Sequence, residues 1–159
     1  MSRLQRFLPK PIYSRKELKE KCETLLRELT YKAETYYGVP ITFIPKVVVV
    51  RARRYYARIV QPKLNVPLIR VNQIFIDFYK ADPILAEKAL RFTLAHEVAH
   101  IVQRKQYGVG DMMLSHPLAI EEDANKKAEH ISGITFEEFH DTVMELHEKI
   151  GASPKPLAL

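Results

Sequence analysis

Three residues in the middle of the chain, His96, Glu97 and His100, have the types and spacing needed to bind and use a metal ion. On an α-helix, two histidines four residues apart lie on one face, about one turn from each other. Both imidazoles can then ligate a single Zn²⁺, and the intervening glutamate can take a proton from an attacking water molecule. The spacing therefore predicts one zinc ion per chain at a site that supports hydrolysis, with Glu97 as the general base.

A catalytic zinc site needs a third protein ligand, and the residues after the central motif offer several. The candidates are His116, Glu121, Glu122, Asp123 and His130. A helix over about residues 118–132 would place Glu121 and Asn125 on one face together with two alanines, so that this face can approach the histidines closely. We expect Glu121 to be the third ligand and Asn125 to accept a hydrogen bond from a ligating histidine.

His116 is the rival ligand, because it precedes Pro117 in a predicted loop where no helical face decides its direction. If it is not a ligand, it is a candidate donor of a hydrogen bond to the oxyanion that forms during hydrolysis. Tyr107 is a second candidate for that role. The sequence does not choose between the two.

The central motif needs a helix to bring its residues together, and the flanking sequence supplies one. Asp82 followed by Pro83 is typical of a helix start, with the aspartate as N-cap and the proline in the first turn. No further Pro or Gly follows until after Arg104, and residues 107–110 predict a loop. Capping boxes at residues 14–17 and 135–138 predict two more helices, which end near residues 37 and 150.

Residues 41–79 have a different character, with β-branched and aromatic runs separated by Pro or by Arg-rich breaks. These runs, at residues 41–44, 46–51, 55–60 and 68–71, predict three or four short strands. They would form a small, mainly antiparallel sheet packed against the helices, which is an α+β fold. We expect the last strand, Leu68–Val71, to be an edge that holds an extended protein or peptide substrate by main-chain hydrogen bonds.

The length of 159 residues suits one domain, residues 1–159, in which we expect residues 1–13 and 152–159 to be flexible tails. The single cysteine, Cys22, excludes an intramolecular disulfide and a cysteine-based zinc site. It falls on an apolar helical stripe and is expected to be a small buried residue, although a thiol that reached the zinc would hold an enzyme latent. No apolar run approaches the ~18 residues of a membrane span, so we expect a cytoplasmic protein with no membrane partner.

Charge is unevenly distributed along the chain. Residues 1–70 contain 16 Lys or Arg and 5 Asp or Glu, a net charge of +11, whereas residues 71–159 contain 9 and 14, a net charge of −5. Four arginines interleave with two tyrosines in one stretch: Arg51, Arg53, Arg54, Tyr55, Tyr56 and Arg58. Such a stretch can bind nucleic acid. We favour a hairpin with a solvated arginine face, because strands commonly turn polar residues outward and no nucleic-acid motif accompanies the patch.

Two segments carry a likeness to a known family. Residues 91–100, Arg-Phe-Thr-Leu-Ala-His-Glu-Val-Ala-His, followed by residues 121–125, Glu-Glu-Asp-Ala-Asn, resemble the ImmA/IrrE metallopeptidases. These typically show R-F-T-x-A-H-E-x-x-H and then E-x-x-A-N. More broadly the chain is similar to gluzincins, and its size is similar to that of the single-domain minigluzincins. The resemblance is close over residues 91–128 and looser over the helix–sheet–helix order before them.

The resemblance implies a zincin-like fold, in which the helix with the H-E-x-x-H motif is followed by a helix with the glutamate ligand. It implies that His96, His100 and Glu121 hold zinc, that Glu97 is the general base and that Asn125 supports a ligand. The activity implied is that of a zinc metalloprotease, an endopeptidase. Members of the ImmA/IrrE type often cleave helix-turn-helix repressors, and some carry such a domain. We expect no such domain in residues 1–159.

Two alternatives stay open. Residues 68–72, ahead of the Thr-Leu-x-His-Glu-x-x-His helix, also resemble SprT-like proteases, which act on proteins bound to DNA and use a third histidine. His116 and the basic N-terminal half fit that interpretation, whereas Glu121 and Asn125 do not. The chain is alternatively a latent or non-catalytic zinc-binding regulatory protein, with residues 1–13 or 152–159 lying in the cleft.

Overall fold

The computed structural model describes residues 8–60, 66–114, 117–152 and 156–159, with residues 108–114 described as backbone alone. Within these residues the fold is α+β, as predicted, with five helices and a three-stranded sheet. In chain order the elements are α1 Arg15–Tyr37, β1 Lys46–Val50, β2 Ala57–Val60, β3 Leu68–Asn72, α2 Ile74–Ala81, α3 Pro83–Leu114, α4 Pro117–Ser132 and α5 Phe136–Lys149.

The sheet is mixed, and its strands lie in the order β1–β3–β2. β1 pairs with β3 in parallel, whereas β2 pairs with β3 antiparallel and places Arg58 opposite Arg70. The prediction of a mainly antiparallel sheet is therefore wrong. The prediction of Leu68–Val71 as an edge is also wrong, because β3 is the central strand of the described sheet. Its central place agrees with its burial, since Ile69 and Val71 are fully buried.

Two segments differ from the elements expected in this region. Residues 41–44, predicted as a strand, lie outside the described strands, and α2 is a helix that the sequence analysis did not predict. In α2, Phe75, Phe78 and Tyr79 are fully buried at helical spacing. The helix has only 8 residues and follows a strand directly, so its helical periodicity covers too few residues to be recognised in the sequence.

α1 forms as its capping box predicts. The hydroxyl of Ser14 accepts a hydrogen bond from the Glu17 amide at 3.1 Å, and the helix ends where Gly38 takes a φ of 64°. Its buried face packs against α3 and β1. Cys22 is fully buried on this face, burial raises the pKa of its thiol, and it is not part of the metal-ligand cluster described below.

α3 is the long central helix that carries the H-E-x-x-H motif. It begins as predicted, with Pro83 in the first position and the Leu85 amide donating to Asp82 Oδ1 at 3.1 Å. It continues to Leu114, so the loop predicted at residues 107–110 is wrong. Gly108 and Gly110 together lower the stability of a helix by about 2 kcal/mol relative to alanine. Packing of α3 against α4 can offset a loss of this size.

The core of the protein surrounds α3, since α1, α2, α4, α5 and β2 all pack against this helix. The fully buried side chains of α3 therefore cover much of its circumference, and they include Leu90, Phe92, Leu94, Ala95 and Val98. Polar side chains at this depth need partners, because burial of an unpaired polar group is costly. Although α3 spans 32 residues, none of the described helices is both long and apolar enough to cross a membrane.

Candidate metal centre

α3 brings His96 and His100 together at the centre of the molecule. Their Nε2 atoms lie 3.1 Å apart, and their ring centroids lie 4.7 Å apart. His96 is fully buried, whereas His100 is partly exposed. The helical spacing thus directs one nitrogen of each imidazole to a common point, as the sequence predicts.

Glu121, on α4, completes a cluster of three residues. Its Oε2 lies 3.0 Å from His96 Nε2, and its Oε1 lies 3.4 Å from His100 Nε2. The three ligand atoms lie within 4.8 Å of one another, close enough to share a metal ion. α4 can approach α3 closely because Ala124 and Ala128 are fully buried. Two imidazoles and one carboxylate fit a catalytic zinc ion.

The other ring nitrogens of both histidines donate to amide oxygens. His96 Nδ1 donates to Asn125 Oδ1 at 2.8 Å, and His100 Nδ1 donates to Gln103 Oε1 at 2.9 Å. Because Nδ1 carries the proton in these bonds, Nε2 is the atom that can present a lone pair to a metal. The hydrogen bond expected between a histidine of the motif and Asn125 is present.

Gln103 is a supporting side chain that the sequence analysis missed. It is almost fully buried, and its amide nitrogen donates to the Ile120 carbonyl at 2.9 Å and to Asp123 Oδ2 at 2.8 Å. These two bonds to α4 leave the amide oxygen for His100. A signal was available, because Gln103 follows His100 by three residues and so lies on the same helical face.

Glu97 is buried beside the cluster and is paired with the sheet. Its Oε2 accepts a hydrogen bond from the Ile59 amide at 2.9 Å, so the outer edge of β2 faces the centre. The net pKa of Glu97 is above its usual value, because burial raises it most strongly. Positive charge on His96 and His100 and the hydrogen bond from the Ile59 amide lower the pKa, but by less than burial raises it. A raised pKa brings a carboxyl group closer to the range in which a general base works at neutral pH.

The cluster itself favours positive charge. Hydrogen bonds with His100 and His96 hold the pKa of Glu121 well below its usual range. Burial lowers the pKa of His100, but its bonds to Glu121 and Gln103 and the charge of Glu97 outweigh burial and raise it. Protons or a metal cation can supply the positive charge that this arrangement stabilises.

The cluster borders a cleft with a volume of about 460 Å³. Glu97, His100 and Glu121 lie at its wall, together with β2. Three arginines also line it, namely Arg54, Arg58 and Arg104.

The segment of residues 156–159, part of the predicted tail 152–159, lies along this cleft. Ala158 forms a parallel bridge with Tyr55. The Tyr56 amide donates to the Ala158 carbonyl at 2.9 Å, and the Ala158 amide donates to the Arg54 carbonyl at 3.0 Å. The segment therefore pairs with the backbone of residues 54–56, just before β2.

Tyr56 anchors the same segment from the core. Its ring is fully buried, and its hydroxyl accepts a hydrogen bond from the Leu157 amide at 3.1 Å and lies 2.9 Å from His147 Nε2. Burial raises the pKa of Tyr56 to about 12 and lowers the pKa of His147. A buried ring cannot stack on a nucleobase, so Tyr56 adds nothing to the predicted nucleic-acid patch, which stays a prediction.

Two other candidates from the sequence, Tyr107 and His130, make contacts away from the cluster. The Tyr107 hydroxyl accepts a hydrogen bond from Lys127 at 3.3 Å, and Tyr107 is not among the described residues that line the cleft. His130 stacks on one tyrosine of α1 and bonds to another. His116 lies outside the described residues. The roles of Tyr107 and His116 as oxyanion donors, and of His116 as a ligand, stay predictions.

No family model, curated protein or solved structure matches the chain. The resemblance carried by residues 91–128 therefore stays a prediction, and the case for a function depends on the geometry of the site.

Proposed function

We propose that the protein is a zinc-dependent endopeptidase of the gluzincin type. The observation that carries the proposal is the convergence of His96, His100 and Glu121 beside the buried carboxylate of Glu97. Three ligands from two packed helices, next to one further carboxylate and an open cleft, are the parts that zinc-assisted hydrolysis requires.

The chemistry follows from these positions. A zinc ion held by the three ligands would polarise the scissile carbonyl and acidify the attacking water. Glu97 takes the proton from that water and delivers it to the leaving nitrogen. The Ile59 amide holds one oxygen of this carboxylate in place, so the proton would go to Oε1. Asn125 and Gln103 keep the two imidazoles in the orientation that ligation needs.

The substrate would lie along β2. This strand is an edge of the described sheet, and its Ile59 amide points at Glu97. A peptide extended beside β2 therefore passes the general base, and main-chain hydrogen bonds would hold it there. In this proposal β2 is the sheet edge that holds the substrate, a role that was predicted for Leu68–Val71.

The test is the zinc content per chain, measured by elemental analysis, together with cleavage of an unstructured protein such as casein. We expect one zinc in the wild type and in Glu97→Gln, with cleavage lost in Glu97→Gln. We expect zinc to be lost in Glu121→Ala and kept in Glu122→Ala, the matched control on the same helix. Absence of zinc from the wild type after metal is added, or cleavage by Glu97→Gln, would refute the proposal.

A variant at His116 separates the SprT-like alternative. Loss of zinc in His116→Ala with retention in Glu121→Ala would favour a third histidine ligand and substrates bound to DNA. The distances from Glu121 to both histidines support the glutamate instead.

Latency is a second candidate, and the segment 156–159 favours it. Ala158 and Leu159 border the cleft next to the catalytic groups, and Ala158 bonds to Arg54 and Tyr56, just before β2. A substrate would have to displace this segment to lie fully along β2. The isolated protein would then bind zinc and cleave slowly until the segment is released.

A further inference from the structure

Two arginines lie directly opposite each other on the exposed side of the sheet. Arg58 on β2 is paired with Arg70 on β3 in the antiparallel register, and both are exposed. The Cβ atoms of such a pair lie about 5 Å apart, and like charges in this arrangement repel. The two strands therefore concentrate positive charge at a point where an anionic group would be stabilising.

Arg58 of this pair borders the candidate active-site cleft. Arg58 lines the cleft together with Arg54 and Arg104. The two carboxylates of the cleft, Glu97 and Glu121, are engaged with a β2 amide and with two imidazoles respectively. The part of the cleft beside β2 thus presents the guanidinium groups of Arg54 and Arg58 to an incoming chain.

We propose that the cleft selects peptides with an Asp or Glu side chain close to the scissile bond, and that Arg58 is the main specificity-determining residue. This inference rests on the peptidase function proposed above. A guanidinium binds a carboxylate through two parallel N–H···O hydrogen bonds, which neither a lysine nor a neutral side chain can reproduce. The same arginines repel a Lys or Arg of the substrate, so attraction and repulsion both contribute to the selection.

A peptide carboxylate suits this cleft better than a nucleic acid. Binding of single-stranded nucleic acid relies on several exposed aromatic rings for the stacking of successive bases. The ring of Tyr56 is fully buried, and the half-buried ring of Tyr55 is the one tyrosine among the described residues that line the cleft. A volume of about 460 Å³ has room for a few side chains of an extended peptide.

The test is fluorescence anisotropy with three labelled peptides that have Glu, Gln or Lys beside their central bond and are otherwise identical. The protein is the full chain with Glu97→Gln, so that turnover does not interfere. We expect the Glu peptide to bind at least about tenfold more tightly than the Lys peptide, which corresponds to about 1.4 kcal/mol. The preference should weaken as salt is added.

Variants at position 58 test whether Arg58 causes the preference for the Glu peptide. Arg58→Glu should reverse the order of the peptides, and Arg58→Lys should keep the order with weaker binding. Arg27→Glu is the matched control, because Arg27 is exposed on α1 and borders a different groove. It should leave the order unchanged.

The outcomes separate this inference from the peptidase proposal. Equal binding of the three peptides, or binding of none, would overturn the inference. It would also be overturned if a DNA duplex displaced the Glu peptide at a lower concentration than unlabelled Glu peptide does. If the wild type held no zinc and cleaved nothing, the peptidase proposal would fail while the order of peptide binding could still be read. If the wild type cleaved all three peptides with equal kcat/KM, only the acidic selection would fail.

Discussion

Release of the segment 156–159 from the cleft should raise peptidase activity by a modest factor. Three hydrogen bonds hold it, two at Ala158 and one from Leu157 to Tyr56, and at about 1 kcal/mol each they contribute about 3 kcal/mol. The partly buried side chains of Leu157 and Leu159 add about 2 kcal/mol. Ordering residues 157–159, which make these contacts, costs at least about 3 kcal/mol. The closed state is thus favoured by no more than about 2 kcal/mol, or about thirtyfold.

The assay is kcat/KM of the zinc-loaded protein on a quenched fluorescent peptide. It compares the wild type with a chain that lacks residues 156–159 and with Ala158→Pro, which removes the amide that donates to Arg54. Ala158→Ser keeps this amide and is the matched control. We expect an increase of about threefold to thirtyfold for the first two variants and the wild-type value for the control.

Two results would refute this reasoning. An unchanged rate after deletion would show that the segment does not obstruct the substrate. A rise above about a thousandfold would show that the segment is held far more firmly than its three hydrogen bonds explain. Hydrogen exchange at the Tyr56 amide reports release of Ala158 independently of activity, because this amide donates to the Ala158 carbonyl.

Three other perturbations have defined outcomes. Gln103→Ala should weaken zinc binding by about tenfold to a hundredfold, because His100 loses its acceptor; competition with a chromogenic chelator measures this. Cys22 should resist iodoacetamide in the native protein and react after denaturation, as mass spectrometry would show, because its thiol is buried and its pKa is raised. Asp82→Ala should lower the free energy of unfolding in urea by about 1 kcal/mol at pH 7. Burial raises the pKa of Asp82, but hydrogen bonding, first from the Leu85 amide, lowers it more, so this contribution is present above the unfolded pKa of about 4 and should vanish in stronger acid. Equal stability of variant and wild type at pH 7 would contradict the capping role.

The parts of the candidate site that lie within one helix could be predicted, because helical spacing fixes them. His96 and His100 share a face of α3 whatever surrounds them, and Glu121 and Asn125 share a face of α4. The alanines beside Glu121 indicated which face of α4 packs closely. The start of α3 at Asp82 could be predicted for the same reason, since a cap is a contact between neighbours in sequence.

The parts that depend on distant contacts could not be predicted. Local sequence does not determine which strands pair with each other. The central position of β3 and the parallel pairing of β1 with β3 were therefore missed. The bond from Ile59 to Glu97 and the bridge between Tyr55 and Ala158 depend on the same tertiary arrangement. Gln103 was missed for another reason. It lies among apolar side chains of α3, so the sequence pattern indicates burial and does not indicate a hydrogen bond to His100.

The position of β3 between β1 and β2 has a consequence for how the site depends on the sheet. β2 pairs with β3 and not with β1, so a substitution that disrupts β3 also detaches the strand whose Ile59 amide bonds to Glu97. The candidate metal ligands lie on α3 and α4, which pack directly against each other. We therefore expect damage to β3 to leave a protein that still binds a metal ion but in which Glu97 has lost its hydrogen bond to the sheet.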